Sequence, residues 1–467
     1  MCTRHDGPYG RRCRRRGPRR RGAAGLRDPN TRTGTRSETT MWRTPTAAVR
    51  TVATGRITPL VRTAYAGARG PSRVSRRLPA LAVALAVLAA PAVTSCTSLR
   101  APQHLGAPAA LAPPPDRTTP ALRRLVRDGA PGAAALSTVG GQASRFTAAG
   151  VADLKSGRPP RRADHFRAGS LTKPFVATVV LQLAAEHRLR LQDPVLPRLP
   201  DSLRAAAGRY AGELSRVTIR QLLNHTSGLF NYTRDPRLAH QLYGSGFRAH
   251  RYDTHTPAEL LRTALRHPPT APPGARYAYS NTDYLLLGQV IEHVTGHPYA
   301  EEVTRRIVRP VRLSGTSFPG TDPALPEPHG RGYSVVGARR MDATALDPSR
   351  AGAAGEMVTT LGDLNRFFAA LLGGRLLPPR ETAQLRSARR ADDAYGLGLY
   401  AVELPCGTTV WGHNGDINGS YAQTAATADG RHVLSLHINT DTRAAADRAV
   451  SVLTAEFCRQ PGRGAAG

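Results

Sequence analysis

Lysine is almost missing from this chain. Of 65 basic residues only two, Lys155 and Lys173, are lysine; the rest are arginine. Arginine keeps its proton at any working pH, whereas a buried lysine can lose it. A lysine kept in such a background is a candidate for a site that needs a neutral amine; Lys155 is read as chance retention. Aromatic residues are scarce as well, 5% of 467. The formal charge of +32 therefore lacks the basic-aromatic interleaving of a nucleic-acid surface, and no nucleic-acid partner is expected. That charge is uneven: residues 1–95 hold 20 Arg and 3 acidic residues, a net of +17, leaving +15 for the rest. Long apolar runs are lacking too. The run Leu78–Val93 is too short for a comfortable membrane span.

That run has another use. Arg76 and Arg77 precede it and small residues follow, the pattern of a signal peptide. Residues 1–40 are rich in Arg, Gly and Thr and build no core, and Met41 offers an alternative start. Ser75–Arg77 weakly resembles a twin-arginine signal, but Pro79 does not follow that pattern. Val93–Cys96 resembles a bacterial lipobox, which predicts acylation of Cys96 and anchoring at the outer face of the membrane. An ordinary signal peptide with an incidental Cys, and a secreted product, is the alternative. Residues 96–116, rich in Pro and Ala, read as a tether reaching at most roughly 60–70 Å. Cys406 and Cys458 then remain as an even pair in an exported protein, and a disulfide is the default.

The expected folded body is 117–460, with a tail at 461–467. Helices are predicted over Pro120–Asp128, Phe175–Ala185, Thr282–Val294, Leu361–Leu372 and Ala444–Phe457. Strands are predicted over Ala133–Val139, Arg145–Val151, Gly407–Gly412, Tyr421–Ala428 and His432–Ile438. Strands at both ends with helices between suggest one sheet made from both chain termini, about 117–165 and 355–460. A helical region, about 166–354, is inserted between them.

Three short motifs carry chemistry. Ser170 and Lys173 stand at i and i+3 at a helix start, so hydroxyl and amine share a face. Desolvation lowers a lysine pKa, and a neutral amine can accept the serine proton. The bland alternative is an N-capping serine beside a solvated lysine. Tyr279 and Asn281 precede the next long helix; a phenol can relay protons if a cation depresses its pKa, and an amide can hold a substrate amide. The alternative is a helix cap. His413–Asn414–Gly415 ends the strand that begins near Gly407, with Gly415 leaving room for a ligand's backbone. His413 could donate to a carboxylate or to Tyr279; the alternative is an ordinary Asn-Gly turn.

Ser-x-x-Lys, then Tyr-x-Asn about 110 residues on, then His-x-Gly about 130 later resembles the β-lactamase and D-Ala-D-Ala peptidase superfamily. Phe166–Lys173 resembles its nucleophile segment. Leu222–Leu229 is similar to its LLxHtSGL signature, Pro273–Gly288 to its PGxxfxYSNtxYxLLG block, and Tyr395–Gly398 precedes the last motif as in the family. The resemblance covers about 117–460 and implies the α/β plus all-α fold of that family. Pro405–Gly407, Phe457–Cys458 and Gly129–Gly132 resemble secreted actinomycete D-alanyl-D-alanine carboxypeptidases in particular.

The resemblance implies that Ser170 is the acylated nucleophile, Lys173 the base of acylation and Tyr279 the proton relay to the leaving group. It implies that Asn281 holds the substrate amide, and that the backbone N–H groups of Ser170 and Asp416 form an oxyanion hole. It implies no metal and no cofactor, a peptidoglycan-derived peptide or small acyl compound as substrate, and β-lactams as covalent ligands. A monomer is expected. Two positions depart from the carboxypeptidase pattern. Tyr400 stands where those relatives carry an Arg that grips the terminal carboxylate, and Asp416 where they carry Thr. An acid there repels a substrate carboxylate unless it is protonated or turned away. Arg350 is expected near the cleft, where it could supply the lost cation. The leading expectation is a D-Ala-D-Ala carboxypeptidase. The alternatives are an esterase, a D-aminopeptidase or a class C-like β-lactamase, and, in another class, a penicillin-binding module that acylates without turnover.

Overall fold

A glycine-punctuated hairpin opens the fold: β1 (Gly132–Val139) pairs antiparallel with β2 (Arg145–Gly150). The computed structural model describes residues 116–140, 143–387 and 395–458. The expected leader, Cys96, nearly all of the tether and the 461–467 tail lie outside them. The rest of the sheet comes from the C-terminal part: β3 (Tyr400–Glu403), β4 (Thr409–Ile417), β5 (Ser420–Ala426) and β6 (His432–Ile438). The order is β2-β1-β6-β5-β4-β3, so the two chain ends meet where β1 pairs with β6.

Alternation along β1 builds two cores at once. Ala134 and Leu136 face a core shared with helix α4 (Leu361–Leu372), while Ala133 and Ala135 face one shared with helix α5 (Arg443–Phe457). Helix α1 (Thr118–Arg127) packs beside α5 on that second face. Between the two sheet segments lies the helical region, with α2 (Thr172–Ala185) and α3 (Asn281–Thr295) in contact at its centre. Helix α2 is largely apolar and buried from Thr172 to Leu181, with Phe175 stacked on Phe367 of α4. Gly296, at φ 77°, closes α3. The insertion is gathered at a two-residue ladder, Phe166–Arg167 against Val358–Thr359.

One strand expectation is corrected. The strand predicted at Gly407–Gly412 runs instead from Thr409 to Ile417, through His413, Asn414 and Gly415, and turns at Asn418–Gly419. The Asn-Gly pair is thus not a turn; cross-strand pairing outweighs its local preference. The strand Tyr400–Glu403 and the hairpin Tyr333–Val336 with Arg339–Asp342 were not anticipated. Cys406, in the β3–β4 turn, is bonded to Cys458 at the end of α5, with Cα atoms 5.8 Å apart.

Candidate active site

Gly169 sets the nucleophile in place. Its φ of 53° is left-handed, and a Cβ there would meet the Asp416 nitrogen at 2.7 Å. Ser170 lies in the single tight turn Gly169–Leu171 that runs into α2. Lys173, three residues on and fully buried, places Nζ 2.9 Å from Ser170 Oγ, 2.8 Å from Asn281 Oδ1 and 2.7 Å from the Ala354 carbonyl. Burial pushes its pKa well below the usual lysine range, and the Asp283 carboxyl opposes that shift. A neutral amine has two N–H bonds and one lone pair. Asn281 Oδ1 and the Ala354 carbonyl claim the two hydrogens, which leaves the lone pair for the Ser170 hydroxyl.

Tyr279 OH stands 2.6 Å from the other side of Ser170 Oγ, and its ring centre is 4.9 Å from Lys173 Nζ. A depressed phenol pKa does not follow from that proximity: burial raises it well above the usual value, the hydrogen bond to Ser170 opposing. Tyr279 is therefore a neutral phenol, suited to passing a proton rather than holding a charge.

A buried network that was not singled out in the sequence holds this tyrosine. The His225 carbonyl accepts from Ala278 N–H at 2.8 Å, and Ser280 N–H lies 3.3 Å from His225 Nδ1, so one residue brackets Tyr279 on both sides. His225 adopts φ 56°, unusual for a residue with a Cβ, and its ring packs 4.4 Å from that of Tyr279. Asp283 Oδ2 is 2.8 Å from His225 Nδ1, while Asp283 Oδ1 accepts from Ser227 Oγ at 2.5 Å. All three side chains are buried. Burial keeps His225 neutral and raises the Asp283 carboxyl, the Ser227 hydroxyl and Lys173 opposing. His225 and Ser227 stand inside the Leu222–Leu229 signature, which was the available signal.

The strand wall differs from expectation in three places. His413 is 1% exposed and turns inward; Nε2 is 2.9 Å from Tyr395 OH, and burial lowers its pKa to about 3. It makes no hydrogen bond to Tyr279. Gly415 leaves room not for a ligand but for the chain itself, since a Cβ there would lie 1.8 Å from the Ala168 carbonyl oxygen. Tyr400 donates to Asn414 Oδ1 at 3.0 Å and is not in the cavity wall at Ser170.

That open cavity is lined by Ser170, Asn281, Arg350 and Asp416, with Tyr232 and Tyr243 among its other walls. Asn281 Nδ2 is 3.4 Å from Thr233 Oγ1. Arg350 is thus near the cleft: its guanidinium donates to Asn418 Oδ1 through one nitrogen and lies over the Phe247 ring, while Nη1 is buried without a hydrogen-bond partner, and the residue is 4% exposed. Among the described residues no group of acidic, His or Cys side chains could hold a metal.

A family model described as Beta-lactamase matches residues 117–457. The chain belongs to the beta-lactamase family. It is a serine hydrolase of that family, with the mixed helix and antiparallel-sheet fold that goes with it. A D-stereospecific amidohydrolase from Streptomyces sp. is 42% identical, with a TM-score of 0.66 over 73% of this chain and 98% of that one. The D-amino acid amidase of Ochrobactrum anthropi SV3, in complex with L-phenylalanine amide, is 25% identical with a TM-score of 0.61, covering 73% and 97%. Esterase EstB of Burkholderia gladioli is 34% identical over 43% of this chain and 49% of its own length. The chain spans between 36% and 64% of the length of such curated relatives.

Proposed function

We propose that this beta-lactamase family member is a D-stereospecific amidohydrolase acting through an acyl-enzyme on Ser170. The contact between Lys173 Nζ and Ser170 Oγ, deep in a site that disfavours the ammonium form, carries the chemistry. Lys173 takes the hydroxyl proton as Oγ attacks the scissile carbonyl. The backbone N–H groups of Ser170 and Asp416 face the developing oxyanion, and the amide of Asn281 orients the substrate. Tyr279 hands a proton to the leaving amine and regains one from Lys173. Water then attacks the ester by the same route in reverse, releasing the acid and restoring Ser170. The likeness to the Streptomyces amidohydrolase, across 98% of that chain, supports the substrate class.

A D-Ala-D-Ala carboxypeptidase is the second reading. Arg350 in the cavity wall favours it as the one cation there, and the bond to Asn418 weighs against it. We read the enzyme as exported, from its leader and its Cys406–Cys458 bond; the mass of the mature N-terminus tests lipidation at Cys96. Steady-state hydrolysis of D- and L-phenylalanine p-nitroanilides, beside a D-Ala-D-Ala peptide, tests the function. D-selective anilide cleavage that disappears in Ser170→Ala supports the amidohydrolase. Faster cleavage of the free-acid peptide supports the carboxypeptidase, and an acylation burst without turnover supports a penicillin-binding module.

A further inference from the structure

Acids around the cleft are almost all occupied. Asp283 is held by His225 and Ser227, Asp347 by Thr254 Oγ1 and the Ser349 N–H, and Asp441 by Ser334 Oγ and the Gly419 N–H. Asp416 is the exception. It lines the same cavity as Ser170, it is half-buried, and among the described residues its carboxyl makes no hydrogen bond and no ion pair. The arginine in that cavity donates to Asn418 instead and not to Asp416, and its Nη1 is left without a partner. A half-buried carboxyl that opens onto a cavity and has no protein partner is available to a ligand there.

We propose that Asp416 is a specificity-determining residue that takes the ammonium of the substrate, so that the preferred substrates are amides or esters of amino acids whose α-amino group is free. This rests on the amidohydrolase reading and narrows it. Burial raises the Asp416 carboxyl well above its usual range, and Asp441, of like sign, adds to the shift. That shift favours the protonated form while the site is empty. An arriving ammonium reverses the balance: the carboxyl gives up its proton to solvent and forms a charge-assisted bond in surroundings poor in water. A substrate carboxylate drives no such ionisation and is repelled by the ionised form. Leu242, Tyr243 and Ile417 line the cavity as well and offer apolar surface to the side chain next to that ammonium.

The experiment compares D-phenylalanine p-nitroanilide with its N-acetyl form, which keeps shape but loses the cation. Wild-type enzyme should prefer the free amine by about tenfold or more in kcat/KM, chiefly through KM. In Asp416→Asn that ratio should collapse towards one, and Asp416→Glu should restore part of it. Equal losses on both substrates, or a wild-type preference for the N-acetyl form, would overturn the proposal. Retained labelling of Ser170 by a fluorophosphonate shows that the variants fold. Protection from that labelling by D-phenylalaninamide and by N-acetyl-D-phenylalaninamide gives the same comparison without turnover. The L-enantiomers separate the two readings: loss of D-selectivity with the amine preference intact removes the amidohydrolase reading and leaves Asp416.

Discussion

The helical wall of the cleft and its strand wall satisfy their polar groups in different ways. On the helical wall Lys173 has three partners, Tyr279 bonds to Ser170, and His225, Asp283 and Ser227 close a buried network behind them. On the strand wall His413 and Tyr400 are bonded inward and sideways, and Asp416 has no partner. The network on the helical wall is held at many points, although His225 Nε2 and Ser280 Oγ stay buried without partners, and moving one member leaves others unpaired as well. An unpaired group on the opposite wall has no such constraint and is free to read the substrate. Under the proposals above, chemistry is held on one side and selection is made on the other.

Substitution can break this contrast. The largest effect is expected from Lys173→Arg, which should cost about as much as Lys173→Ala, on the order of a thousandfold or more in kcat on every substrate. Single-turnover acylation checks it; a variant keeping a tenth of the activity would reduce Lys173 to an electrostatic helper. Next comes Asp283→Asn, expected to lower kcat about ten- to hundredfold by loosening Tyr279. It should also move the acid limb of the kcat/KM profile to lower pH. Asp283 is the group that draws the Lys173 pKa back up, so without it the amine stays neutral further into acid. His225 and His413 also face Lys173, both kept neutral by burial, so neither replaces that charge. An unmoved limb would detach Asp283 from Lys173.

The strand wall should respond more mildly. Cys406→Ser frees the β3–β4 turn from α5, opening a link that spans 52 residues. It should cost about 2–4 kcal/mol of stability, seen in denaturant melts, while kcat at 25 °C changes less than in Asp283→Asn. The smallest effect is expected from Tyr400→Phe, within about threefold in kcat/KM, since its hydroxyl serves Asn414 rather than the cavity.

Much of this was legible in sequence. Leu361–Leu372 and His432–Ile438 run over the residues their apolar patterns predict, and the two-lysine composition pointed at Lys173. What stayed hidden depends on contacts between distant segments. Asp283 and His225 lie 58 residues apart, and nothing local marks a buried Asp between Thr282 and Tyr284 as a partner. Asn414–Gly415 reads as a turn because the reason for its glycine, the Ala168 carbonyl, lies on another segment. Tyr400 looks available to substrate in one dimension, and only packing shows that Asn414 occupies it; Arg350 is likewise tied to Asn418 through one of its nitrogens.

The ladder of Phe166–Arg167 against Val358–Thr359 acts as a neck. Ser170 sits three residues past its first strand and Ala354 four before its second, so the nucleophile and the carbonyl that steadies Lys173 belong to the neck. Tyr232, Thr233 and Tyr243 lie far out on the loop of chain it closes. Residues 230–233 still bond to Asn281 and Thr282, but the chain past them is an exchangeable cassette: grafting residues 236–250 from a relative should import a new side-chain preference without rebuilding the apparatus that breaks the bond.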